Sequence, residues 1–166
     1  MELKELLERK EAAILQNWLT AIFNTYPAGS TDYCKGEDMF TNPVGHNIKT
    51  NAGRILEGLI RGDDDHVLSC YIEQIIRIRA VQDFTPSQAA GFMIDLKTAI
   101  RSQIMGEATK HGLIEDLMAL EKRIEGLGYI SDDLYANMKR KIRELAVREA
   151  KKDNDFKARI AGIKQS

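Results

Sequence analysis

The chain is poor in what breaks helices or builds strands. Only three prolines occur in 166 residues, at Pro27, Pro43 and Pro86. The valine- and threonine-rich runs that mark strands are also missing, so long helices meet little competition. The expected fold class is all-α, a single helical domain over residues 1–166, since 43% apolar content in a chain of this length suits one core. No apolar run approaches the roughly 20 residues that would cross a bilayer, and Met1-Glu2-Leu3-Lys4-Glu5 carries no signal-like apolar stretch. These absences predict a cytoplasmic protein without membrane insertion. Two cysteines, Cys34 and Cys70, lie far apart without Cys-x-x-Cys spacing and read as free thiols in a reducing compartment.

The net charge of −1 conceals an uneven distribution. Residues 139 to 164 hold ten Lys or Arg against four Asp or Glu, which leaves −7 on the rest. A basic tail invites a nucleic-acid reading. Against it, Glu144, Glu149 and Asp153 interleave with the cations, aromatics for base stacking are scarce there, and the sequence pI is about 6.3. Nucleic-acid binding is the third reading, behind a solvated face with a partner-binding seam.

Periodicity places the helices. A first helix from about Glu2 to Tyr26 carries Leu3, Leu7, Ile14, Leu15, Trp18 and Ile22 on one face and ends at Pro27. Residues 28–41 have turn composition, with Tyr33, Met39 and Phe40 expected to touch the core. Asn42-Pro43 opens a second helix to about Arg61, with Val44, Gly45, Ile48, Ala52, Ile55, Leu56 and Leu59 facing inward. Gly62 and the acidic run Asp63-Asp64-Asp65 close it and open a third helix to about Val81. Thr85-Pro86-Ser87-Gln88 is a capping box for a fourth helix presenting Ala89, Phe92, Met93, Leu96, Ala99 and Ile100.

After a break at His111-Gly112, Leu113, Leu117, Leu120, Ile124 and Leu127 keep the spacing of a helix-helix seam, resumed at Leu134, Met138, Ile142 and Leu145. The long C-terminal helical region spans about 113–153. Gly126, Gly128 and Ser131-Asp132-Asp133 interrupt the seam, which fits either one kinked helix or two helices divided near Ile130. The last dozen residues are expected to fray.

Several strings now stand in order: Trp18 to Thr25-Tyr26-Pro27, Phe40-x-Asn42-Pro43-Val44-Gly45, Ile76 through Phe84-Thr85-Pro86-Ser87-Gln88, and Tyr135 with Lys141-Ile142. Together they resemble the RsbRD N-terminal domain family, the sensor-like modules of RsbT co-antagonists, over nearly the whole chain. The resemblance implies a regulatory input module akin to the non-haem globin-like domains that dimerise in stressosome proteins. Those co-antagonists continue into a phosphorylatable STAS domain. The end of this chain at Ser166 leads us to expect a stand-alone member, to which stressosome assembly and phosphorylation do not carry over.

Chemistry-bearing patterns are sparse. His46, His66 and His111 stand at helix ends, and none has a His or Cys at i+3 or i+4, so neither a metal nor a haem cofactor is expected. Asp63-Asp64-Asp65-His66 is explained as a helix start without a cation. No Gly-x-Ser-x-Gly elbow, phosphate loop or dinucleotide fingerprint occurs, and the expected protein is not an enzyme.

Arg79 is the anomaly. It falls near the centre of the apolar arc formed by Leu68, Tyr71, Ile72, Ile75, Ile76 and Ile78. A guanidinium there needs a partner. In one reading it belongs to the last turn, where it snorkels, bonds terminal carbonyls or pairs with Asp83. In the other it anchors a small anionic ligand, with Glu11, equally misplaced on the inward face of the first helix, and Trp18 beside it.

The leading expectation is a non-catalytic sensor or regulatory module acting through homodimerisation and through binding an unknown protein partner or small ligand. Leu134, Met138, Ile142 and Leu145 are its expected interface. The alternative is a structural adaptor without a ligand.

Overall fold

The computed structural model describes residues 1–26, 42–82 and 84–165. The expectations for Pro27, Tyr33, Cys34, Met39, Phe40 and Asp83 lie outside these residues. Six α-helices and no strands are present among the described residues: α1 (Leu3–Phe23), α2 (Pro43–Arg61), α3 (Asp65–Val81), α4 (Pro86–Ala90), α5 (Phe92–Lys110) and α6 (Ile114–Gln165). The all-α reading is correct, and the described helices are too polar or too short to cross a membrane.

Local chemistry sets the boundaries. Asn42 accepts a hydrogen bond from the Gly45 amide at 3.0 Å, ahead of Pro43 at the first helical position. Gly62 closes α2 at φ 89°, and the Gly62 and Asp63 amides return to the Leu59 and Gly58 carbonyls, the paired bonds of a left-handed helix stop. Asp64 then caps α3 through the Val67 amide. The Thr85–Gln88 capping box is formed as read. The helix it opens is short, however: α4 ends at Gly91, where a Cβ would stand 2.4 Å from the Ser87 carbonyl oxygen, and α5 starts at once. One expected helix is therefore two, joined where only glycine fits.

The helices form a closed circuit around one core. α1 packs on α2 and α5, α2 on α3, α3 on α6, and α6 back on α5. The predicted inward faces are buried, including Ile14, Trp18 and Ile22 of α1, Ile48 to Leu59 of α2, and Phe92 to Ile100 of α5, while Leu3 and Leu15 sit half-buried at its edge. Gly58 lets α2 and α3 come close, since a Cβ would meet the Leu68 side chain at 2.6 Å.

α6 differs from the sequence reading in two respects. It remains α-helical through Gly126, Gly128 and Ser131, which removes the two-helix alternative; Ser131 is buried, with its hydroxyl on the Leu127 carbonyl. It also continues to Gln165 instead of fraying. At 52 residues it is about 78 Å long, more than the rest of the bundle can cover. Every residue from 143 to 163 is exposed.

Candidate functional site

Two regions carry the candidate residues: a buried polar centre under the α1 and α3 termini, and the exposed half of α6.

Arg79 occupies the first. Its side chain is wholly buried, with one terminal nitrogen on the Gln88 carbonyl at 2.6 Å and the other on the Ile22 carbonyl at 3.2 Å and the Thr25 hydroxyl at 3.1 Å. Its guanidinium carbon lies 4.9 Å from the Phe84 ring centroid, 5.7 Å from Tyr26 and 6.0 Å from Phe92. Burial lowers the Arg79 pKa, while Tyr26 and Asp95 oppose that shift. Burial likewise raises the carboxyl pKa of Asp95, against the pull of Arg79. The Ile22 carbonyl belongs to the last turn of α1, and Arg79 to the last turn of α3, so the cation sits where two helix dipoles present their negative ends. Nε finds no hydrogen-bond partner among the described residues.

The three expected ligand residues separate. Trp18 and Arg79 share Phe92: the indole donates to the Phe92 carbonyl at 2.6 Å and stacks on its ring at 6.3 Å, while Arg79 faces the same ring. Glu11 is half-buried on α1, eleven residues ahead of Ile22 and hence about 16 Å away along the axis. It does not meet Arg79, whose terminal nitrogens are taken by two backbone carbonyls and the Thr25 hydroxyl instead. Those carbonyls explain what the sequence could not show. A misplaced arginine is visible in a helical projection, but its acceptors, at residues 22 and 88, belong to other elements and have no side-chain signature.

Other polar anchors were also missed. Glu121 is buried on α6 and takes both the Nε and a terminal nitrogen of Arg101 from α5, which raises the Arg101 pKa through those hydrogen bonds. Lys97 meets Glu125 at 2.7 Å, and that hydrogen bond lowers the Glu125 pKa. Beside this pair lies an open, mainly apolar groove of about 420 Å³ between α4–α5 and α6, lined in part by Ala90, Gly91, Ile94, Gly128 and Tyr129. Among the described residues, no group of three His, Cys, Asp or Glu side chains is placed to hold a metal ion, and Cys70 is an exposed free thiol.

The second region is the α6 stripe. Leu120, Ile124 and Leu127 are followed 18 residues later by Met138, Ile142 and Leu145, and 18 later again by Phe156, Ile160 and Ile163. Eighteen residues make about five turns, so all three triplets project from one side of the helix. Of the first triplet, Ile124 and Leu127 are buried in the core and Leu120 is partly buried against it. Leu134, Met138 and Ile142 are partly buried against the chain's own body, whereas Leu145, Phe156 and Ile163 are exposed. Of the expected interface residues, Leu145 is the one that stands clear of the bundle. The sequence reading ended the seam there and passed over Phe156, Ile160 and Ile163, although the same spacing continues through them.

No curated protein and no solved structure matches the chain. A family model described as the RsbT co-antagonist protein rsbRD N-terminal domain matches residues 12–151, which takes in the buried arginine, the capping box, the groove and the root of the projecting helix. The chain belongs to the RsbT co-antagonist rsbRD N-terminal domain family, a regulatory class of domain.

Proposed function

We propose that the chain is a non-catalytic regulatory module that works as a homodimer, with the projecting half of α6 as both its interface and its route to a protein partner. The observation that carries this reading is the stripe itself. One apolar line begins as core at Leu117 and Leu127 and continues past the end of the bundle to Leu145, where 57% of the residue is in water, and to Phe156, where 64% is. Apolar surface aligned along about 30 Å of bare helix is unfavourable in a monomer, and a twofold partner is the commonest remedy. Removing Leu145 and Phe156 from water contributes on the order of 1.5 to 3 kcal/mol each, which works against the cost of association.

Because α6 is continuous, whatever the outer half binds is mechanically joined to the core layers at Leu127 and Ser131. Sedimentation equilibrium at tens of micromolar tests the reading: a dimer is expected, and a monomer would refute it. Leu145→Glu with Phe156→Glu should dissociate the dimer without unfolding the body.

The adaptor reading, without a ligand, is favoured by Arg79. Both of its terminal nitrogens are occupied by protein oxygens and none of the side chain reaches solvent, so a small anion at Arg79, Glu11 and Trp18 would have to displace internal bonds. A ligand that raises the melting temperature, and loses that effect in Arg79→Lys, would restore the sensor site.

A further inference from the structure

The exposed stripe is its own complement when reversed. Between Leu145 and Phe156 it carries two charges, Glu149 and Lys152, both on the apolar side of α6 by helical spacing and both exposed. They lie at equal distances on either side of a midpoint between Ala150 and Lys151, and Leu145 and Phe156 are likewise equidistant from it.

We propose that the outer halves of α6 from two copies of this chain pair antiparallel, with the twofold axis crossing the helix between Ala150 and Lys151. This rests on the dimer reading above and adds its direction and register. In this arrangement Leu145 packs on the partner's Phe156, and Glu149 meets the partner's Lys152, each contact occurring twice by symmetry. On the flank, Arg148 falls beside the partner's Asp155. Farther out, Met138 stands opposite the partner's Ile163, while Ile142 lies opposite the partner's Arg159, with the partner's Ile160 one residue beyond.

The charges select this direction. In a parallel pair each seam residue meets its own copy, which sets Glu149 on the partner's Glu149 and Lys152 on the partner's Lys152. Like charges facing across a seam weaken association, whereas the antiparallel register turns the same residues into two reciprocal ion pairs. The overlap also matches where the bundle ends. Lys139 donates to the Ala80 carbonyl at 3.4 Å, which holds the end of α3 at that level of α6, and the neighbouring Val81 is 75% exposed. The partner's Ile160 reaches about this level of α6.

The test uses the full chain with Cys34→Ser and Cys70→Ser, spin-labelled at Ala161→Cys, an exposed position on the side of α6 away from the stripe. The antiparallel register places the two labels about 30 to 40 Å apart, and a parallel pair below about 20 Å. A dimer at the longer distance supports the register, and one at the shorter distance, or at neither, overturns it while leaving the dimer reading standing. A monomer overturns both.

Charge reversal gives an independent readout. Glu149→Lys alone should weaken dimerisation by about tenfold or more, and adding Lys152→Glu in the same chain should restore it, because the reciprocal pairs are re-formed with signs exchanged. If the single and double variants dimerise as tightly as the unmodified chain, the register is wrong. Circular dichroism of each variant checks that α6 stays helical.

Discussion

Leu127 and Leu145 are the same residue on the same side of the same helix, about five turns apart, yet one is fully buried and the other is 57% exposed. The inner half of α6 is held by α3, α4 and α5, with Tyr135 donating to the Phe84 carbonyl and Arg123 reaching the α2–α3 turn. The outer half repeats the apolar spacing without the neighbours. Helical periodicity therefore reports which side of a helix is apolar, and says nothing about what covers it. The inner half works by fixing the bundle, while the outer half has surface to offer a second molecule.

The strongest way to break the comparison is in the core. Trp18→Ala removes a fully buried ring and its bond to the Phe92 carbonyl, with an expected loss of about 3 to 5 kcal/mol in denaturant melts. A loss below about 1 kcal/mol would mean that the α1–α5 contact is not as described.

Next comes the matched pair. Leu127→Ala should cost about 2 to 5 kcal/mol at any protein concentration. Leu145→Ala should cost less than about 0.5 kcal/mol in dilute protein and more as concentration rises into the dimer range. Equal, concentration-independent losses would erase the distinction between the two halves.

Arg79→Ala is expected to cost about 2 to 3 kcal/mol, because it leaves the Ile22 and Gln88 carbonyls buried without their donor and empties the space between Phe84 and Phe92. Arg77, exposed on the same helix and paired with Glu73 at 3.1 Å, should lose no more than about 0.5 kcal/mol on the same change. Similar small losses at both positions would dismiss the buried centre.

The smallest effect is the pH dependence of Asp95. Burial raises its folded-state pKa above the ordinary aspartate value, so the folded chain holds this proton more tightly than the unfolded chain does. Its contribution to stability is therefore greatest below the ordinary aspartate range and declines as pH climbs through the raised value. Melts of Asp95→Asn across that interval should show a flatter profile than the unmodified chain. An unchanged slope would mean that burial does not raise this carboxyl's pKa in the folded chain.

Much of the fold was legible because it is written in local chemistry. The Asn42-Pro43 start, the Gly62 stop, the Thr85–Gln88 box and the inward faces of α1, α2 and α5 each depend on residues within a few turns of one another. The Gly91 division was not visible, since a glycine within an apolar-periodic run reads as tolerated until the Ser87 carbonyl is found against its missing Cβ. The long region after His111 was also read, but its glycines and aspartates argued for an interruption that packing overrides. A Cβ on Gly128 would come within 3.9 Å of the Met93 side chain, and Ser131 returns its hydroxyl to the helix.

The sequence by itself determined that the chain is helical, where most of its helices begin and end, and that Arg79 lies on an apolar side, because each of these follows from spacing along one chain. Tertiary structure alone decided which oxygens receive the arginine, that Glu11 stands apart from it, that Glu121 is buried with Arg101, and where along α6 the apolar stripe leaves its own bundle. Those outcomes depend on which elements meet in space, and contacts between residues as distant as Ile22 and Arg79 leave no periodic trace in the sequence.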